Sequence, residues 1–159
     1  MFRILRVDNR LIHGQVAFSL VSAYKITRII AANDKYATNQ MLKMTLQFGK
    51  PAGVELKVMK VDEAIEYINS TTDNLETTMV VTIDIEDAEK VVLATQYRGD
   101  VCIGGVVDGK DKKFVYSQVF LSPSEIELIN NMLNVGANVY AQDVPANKAL
   151  SAKDIIEKY

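Results

Sequence analysis

The chain holds one histidine, and the residues around it are those that phosphoryl chemistry requires. His13 sits in Arg6-Val7-Asp8-Asn9-Arg10-Leu11-Ile12-His13-Gly14-Gln15-Val16, where an apolar run gives way to a polar loop and then to a segment of helical period. Transfer of a phosphoryl group to a protein needs a nucleophile, donors for three oxygens, and a backbone that a bulky dianion can approach. An imidazole supplies the nucleophilic nitrogen, Arg10 a planar fork for phosphate oxygens, and Gly14 an unobstructed approach. Backbone amides at Gly14 and Gln15 fall where the helix begins, at the positive end of its dipole, and bind anions well there. Asp8 is placed to orient Arg10 or the imidazole. Spacing alone leaves blander readings open: His13 as a loop or capping residue, Arg10 as half of a surface salt bridge with Asp8, Gly14 as a tight turn.

A second stretch, Gly104-Gly105-Val106-Val107-Asp108-Gly109-Lys110-Asp111, has the spacing of a nucleotide phosphate loop. It fails at its last position, where Asp111 puts a carboxylate in place of the magnesium-binding hydroxyl, and a strand-like segment follows instead of a helix. One histidine and one cysteine do not make up the usual zinc ligand sets, so neither a metal nor another cofactor is expected.

The elements that must position His13 alternate between short β-branched runs and longer stretches of helical period, which predicts an α/β fold on a mainly parallel sheet. The expected strands are Phe2 to Val7, Ile26 to Ala32, Val54 to Val58, Thr78 to Ile83, Val101 to Ile103, Phe114 to Leu121 and Asn138 to Gln142. Between them, Val16, Ala17, Leu20, Val21 and Tyr24 share one helical face, and Ala37, Met41, Met44, Thr45 and Phe48 make another helical stripe, stopped by Gly49 and Pro51. Asp62 is expected to cap a short helix ending near Ile68, and Asp84 one that carries Ile85, Ala88, Val91 and Val92. Ser122-Pro123-Ser124-Glu125 reads as a capping box, with Ile126, Ile129 and Leu133 as the buried stripe behind it. Gly136 ends that helix, and Ser151 to Lys158 is expected to be the last one. Six or seven strands with about six helices give a three-layer α/β/α sandwich, in which ligands bind beyond the carboxyl ends of the strands.

Composition agrees with one domain spanning 1–159: 48% of residues are hydrophobic and 24% charged, an ordinary globular mixture. With 18 basic and 20 acidic residues in no long block, nothing favours nucleic acid. A lone Cys102 in an apolar run cannot form an internal disulfide. Arg3 and Arg6 interrupt the first apolar run, which lacks the form of a signal peptide, and no apolar run is long enough to span a membrane. A cytosolic location is expected, with any membrane role exercised through a partner.

The loop from Arg6 to Val16 closely resembles the active-site loop of enzyme IIB subunits of the mannose, fructose and sorbose family of the bacterial phosphotransferase system. There it reads Arg-hydrophobic-Asp-Asp-Arg-Leu-Ile-His-Gly-Gln-Val. The likeness continues through Arg28-Ile29-Ile30 with Asn33-Asp34, Ile103-Gly104-Gly105, Val119-Phe120-Leu121-Ser122, and the strand after Gly136. It implies an α/β/α fold and a His13 that takes phosphate from a IIA protein before a sugar receives it through the membrane components IIC and IID. It also leaves a homodimer open. Three positions depart from the pattern: Asn9 for a second aspartate, Val106 for a methionine, and Gln142-Asp143 where basic residues are common. Two other readings stand beside it. Cys102 would be the carrier if the chain followed other IIB families, and a phosphate-sensing regulatory module would bind without transferring. The sugar is not legible, since in this family the membrane components contact it.

Overall fold

The computed structural model describes residues 1–71 and 76–159. In chain order the elements are β1 (Phe2–Asp8), α1 (Gly14–Tyr24), β2 (Arg28–Ala32), α2 (Asp34–Ala37), α3 (Gln40–Gly49), β3 (Glu55–Met59), α4 (Val61–Ser70), β4 (Thr78–Thr82) and α5 (Ile85–Thr95). There follow β5 (Asp100–Gly105), β6 (Lys113–Tyr116), β7 (Val119–Leu121), α6 (Pro123–Asn134), β8 (Asn138–Ala141), β9 (Leu150–Ser151) and α7 (Ala152–Lys158).

Seven strands form one sheet in the order β3-β2-β4-β1-β5-β8-β9, parallel throughout except for β9. Helices cover both faces, giving the three-layer α/β/α sandwich that the alternation predicts. Along β1, Leu5 and Val7 join a core with residues of α4, α5, α6 and α7, while Ile4 joins the opposite core with Leu20 of α1 and Leu46 of α3. Because side chains alternate along a strand, Arg6 and Asp8 fall on the α1 side with Ile4. The central strands are buried on both faces, which is why they read as unbroken apolar runs. After β1 the chain returns toward β2, whereas after β5 it moves outward to β8. The direction of winding thus reverses between neighbours β1 and β5, the place where open α/β sheets bind ligands.

Several expectations need correction. Phe114 to Leu121 is not one strand but the hairpin β6–β7, an antiparallel pair apart from the main sheet, broken at Ser117 with φ 44. Neither Ser117 nor Gln118 is a strong turn residue, so composition hid the break. Asp62 does not cap α4; it lies in the first turn and pairs with Lys90, while the Val61 amide donates to Asp34 at 2.9 Å. The stripe from Ala37 to Phe48 is split between α2 and α3, with Asn39 capping α3, and Met41, Met44 and Phe48 point outward at 79%, 52% and 85% exposure. Behind the capping box, Ile129 and Met132 carry the burial, and Ile126 and Leu133 only pack partly against the core.

Candidate active site at the end of strand one

The loop that follows β1 is shaped by the last residue of the strand. The Asp8 carboxylate accepts from the Arg10 amide at 3.0 Å and the Asp8 carbonyl accepts from the Leu11 amide at 2.9 Å, closing a tight turn. Leu11 takes a left-handed φ of 59, a conformation that costs a non-glycine residue about 1 kcal/mol. Its side chain is 4% exposed in the α1-side core, and burying a leucine contributes about 2 kcal/mol, enough to hold the turn. Two residues later His13 is extended (φ -128, ψ 100) and stands at the N-cap of α1, where its carbonyl accepts from the Ala17 amide at 3.0 Å.

A serine or aspartate at that cap would occupy the first-turn amides with its own side chain. His13 makes no such bond, and its side chain is exposed. The amides of Gly14, Gln15 and Val16 have no intrahelical acceptors by helix geometry, and no acidic residue stands in the first turn to neutralise them. A Cβ on Gly14 would meet nothing within 4 Å, so the packing of the chain itself does not demand glycine here. Beside it a groove of about 380 Å³ is lined by Gly14, Gln15, Phe18, Gly49, Lys50 and Pro51. The expected site residues His13, Gly14 and Gln15 therefore share one exposed, amide-rich corner.

Arg10 and Asp8, earlier in the same loop, form a paired group. Arg10 donates from Nε to Asp8 Oδ1 at 2.8 Å and from Nη2 to Asp8 Oδ2 at 2.8 Å, a bidentate pair. The pair is not a surface salt bridge, since the Asp8 side chain is 2% exposed and that of Arg10 27%. The side-on edge of the Arg10 fork is thus taken, and Nη1 makes no hydrogen bond among the described residues. Burial alone would push the Asp8 carboxyl up. Hydrogen bonds from the Arg10 side chain and amide, with the charges of Arg6 and Arg10, outweigh it and hold the carboxyl below its ordinary value.

Sequence reasoning gave Arg6 no role in the site, taking it as the first residue of the loop motif and as an interruption of an apolar run. Arg6 is 1% exposed; its Nη1 donates to the Gln142 carbonyl at 2.7 Å and to Cys102 Sγ at 3.1 Å. Its Nη2 donates to the Asp143 carbonyl at 2.8 Å and to Asp8 Oδ2 at 3.3 Å, while Nε is buried without an acceptor among the described residues. An unsatisfied donor of this kind costs about 1–3 kcal/mol. The signal was present as an arginine two residues before an aspartate in a strand, a spacing that puts both on one face.

The paired glycines owe their place to this group. A Cβ on Gly104 would stand 1.8 Å from Arg6 Nη2, and one on Gly105 would stand 2.7 Å from Asn9 Oδ1 and 3.1 Å from Asp8 Oδ1. The Asn9 amide donates to the Gly105 carbonyl at 3.0 Å. So Gly104 and Gly105 end β5 beside the end of β1, and the residues that a Cβ on them would meet are Arg6 and Asp8 of β1 and Asn9 of its loop. Cys102 is fully buried in β5, and burial pushes its thiol up, which disfavours the thiolate. Among the described residues no His, Cys, Asp and Glu gather into a group that could hold a metal ion.

A family model described as the sorbose subfamily IIB component of the PTS system matches residues 2–159. The chain belongs to that family. As a IIB component it is 25% identical over 162 residues to a probable phosphotransferase enzyme IIB component of Streptococcus pyogenes, covering 98% of this chain and 99% of that protein. It is 28% identical over 155 residues to the mannose-specific EIIAB component of Escherichia coli, covering 98% of this chain but 48% of that longer protein. The crystal structure of manxB from Thermoanaerobacter tengcongensis superposes with a TM-score of 0.91 at 26% identity, over 100% of this chain and 98% of that one. The IIB domain of the sorbose permease from Klebsiella pneumoniae has the same fold, with a TM-score of 0.91 at 23% identity, over 99% and 97% of the two chains. No helix among the described residues of this IIB chain is long and apolar enough to cross a membrane.

Proposed function

We propose that residues 1–159 act as one IIB domain whose His13 accepts a phosphoryl group from a IIA phosphocarrier and passes it to a sugar held by membrane IIC and IID components. The observation that carries the reading is the exposed imidazole at the N-cap of α1, uncommitted to capping and standing at the helix-start amides, three residues after Arg10 in the same loop. A IIA partner is supported by the Escherichia coli relative, whose name joins an A and a B component and of which this chain matches 48%. With no long apolar helix among its described residues, the chain would reach the inner face of the membrane through those partners.

In the first step a ring nitrogen of His13 attacks phosphorus on the donor phosphohistidine. A new P–N bond forms, the donor P–N bond breaks, and its electron pair returns to the donor imidazole. The Gly14 and Gln15 amides and the end-on edge of Arg10 meet the oxygens over which charge spreads. In the second step a sugar hydroxyl attacks the phosphoryl group, a P–O bond forms as the P–N bond breaks, and the hydroxyl proton ends on His13.

Labelled phosphate supplied through a IIA protein tests this. One acid-labile, base-stable label per chain is expected, absent from His13→Ala and retained in Cys102→Ala. Label that survives in His13→Ala overturns the assignment, and label that stays on the chain when sugar and membrane components are supplied favours a sensor instead.

A further inference from the structure

We propose that Arg6 is a positioning residue for the transfer at His13: by fixing the Asp8 carboxylate it aims the Arg10 guanidinium at the phosphoryl group. The inference rests on the reading of His13 as acceptor and assigns a role to a residue outside that site. Three observations carry it.

First, Arg6 is an expensive choice for a central strand. It is 1% exposed between β4 and β5, and its Nε has no acceptor among the described residues. Apolar residues of similar size commonly replace buried ions with no loss of stability, so stability alone is a poor reason for the arginine. Second, the neighbouring strand makes room for it, since any side chain at Gly104 would collide with the Arg6 guanidinium. Third, its bonds converge on the site. The Gln142 and Asp143 carbonyls fix the guanidinium from beyond β8, and from that support Nη2 reaches Asp8 Oδ2 at 3.3 Å. Asp8 in turn presents both oxygens to Arg10.

The result is a chain of cation, anion and cation running from the core to the loop, with one positive charge in excess. Arg10 sits at its outer end, 27% exposed, and its side-on edge is held. The guanidinium cannot swing away without breaking two charge-assisted bonds. Preorganised donors act most strongly on a transition state when they need not be gathered at the moment of reaction. Arg6 touches no reacting atom; it acts through Asp8.

A purely structural Arg6, tying the loop after β8 to β1, would have the same bonds but different kinetics. Phosphoramidate, a small protein-free donor, separates the two by single-turnover labelling of His13 in the full chain. The proteins compared are wild type, Arg6→Lys, Arg10→Lys and the double variant. Lysine keeps the charge of Arg6 but cannot reach two carbonyls and a carboxylate together. Each single variant is expected to label at least ~10-fold more slowly, and the double variant within about 2-fold of Arg10→Lys, because the two act as one unit. Wild-type labelling by Arg6→Lys, or a double variant slowed by the product of the two effects, overturns the proposal. A wild-type chain that takes no label from any donor instead removes the His13 reading. Should Arg6→Lys fail to fold, the wild type alone decides. The Nε–H nitrogen signals of Arg6 and Arg10 are both expected to move when His13 is phosphorylated, and an unmoved Arg6 signal overturns the proposal.

Discussion

At the carboxyl edge of the sheet, β1 and β5 lie side by side, and the segments 8–14 and 104–112 in which they end each hold aspartate, glycine and a basic residue. Only one of them continues into a helix. After β1 the chain turns at Asp8 and enters α1 at His13, leaving helix-start amides beside an exposed imidazole. After β5 the chain commits its amides to its own hairpin. The Val106 amide donates to the Gln118 carbonyl at 3.0 Å, and the Val106 carbonyl accepts from Phe120 at 3.1 Å. The difference shows what a glycine motif means in three dimensions. Gly104 and Gly105 look like a phosphate cradle in sequence, but the groups that press on them are Arg6, Asp8 and Asn9 of the neighbouring corner. The second corner serves the first.

The largest effect should follow from filling that space. A Cβ at Gly104 overlaps the Arg6 guanidinium, so Gly104→Ala must displace a buried ion that holds two carbonyls and a carboxylate. Displacing one member of a buried charge group costs ~3–5 kcal/mol, and chemical denaturation should show a loss of that size. A loss below ~1 kcal/mol would mean that the corners are independent.

Acid should sharpen the same contrast. The folded carboxyl of Asp8 titrates below its unfolded value, so the stability it contributes is complete above the ordinary aspartate range and is lost as pH falls through the lowered folded value. The Asp8 carboxyl carbon signal should therefore hold its ionised position through the range in which an ordinary aspartate titrates, with the melting temperature falling as it titrates below that range. Titration of Asp8 at the ordinary aspartate value would show that Arg6 and Arg10 do not outweigh its burial.

The contrast also explains what the sequence made legible. Parallel order and the His13 corner follow from strand composition and from a loop whose chemistry is local. The Arg6 chain does not, because its partners are carbonyls of Gln142 and Asp143, and backbone groups carry no identity in a sequence. The outward face of α3 was opaque for a different reason: Met41, Met44 and Phe48 have the period of a buried stripe, and periodicity reports that a face is apolar without saying which way it points. β9 is two residues long and pairs with β8 at the edge of the sheet, too short for any pattern to mark.

The smallest effect is expected where sequence logic alone expects a gain. Asp111→Ser completes the phosphate-loop pattern from Gly104 to Lys110, and if that pattern governed binding, the variant should acquire affinity for ATP. The fold withholds each part that the pattern presumes. Gly104 lies under Arg6, and the Gly105 carbonyl is bonded to the Asn9 amide. The Gly109 amide is turned onto Asp108 Oδ1 at 2.8 Å. Beyond Lys112, whose ammonium bonds the Val107 carbonyl at 3.0 Å, the chain enters β6, so the loop does not run into the helix that the pattern requires. Asp111 itself has φ 62, a left-handed position that aspartate tolerates better than serine, so the variant should lose at most ~1 kcal/mol of stability. Titration calorimetry with ATP and magnesium should give no binding heat for wild type or variant. Binding that appears in Asp111→Ser and disappears when Lys110→Ala is added would show that the β5 corner holds a nucleotide site, and would break the division of labour between the two loops.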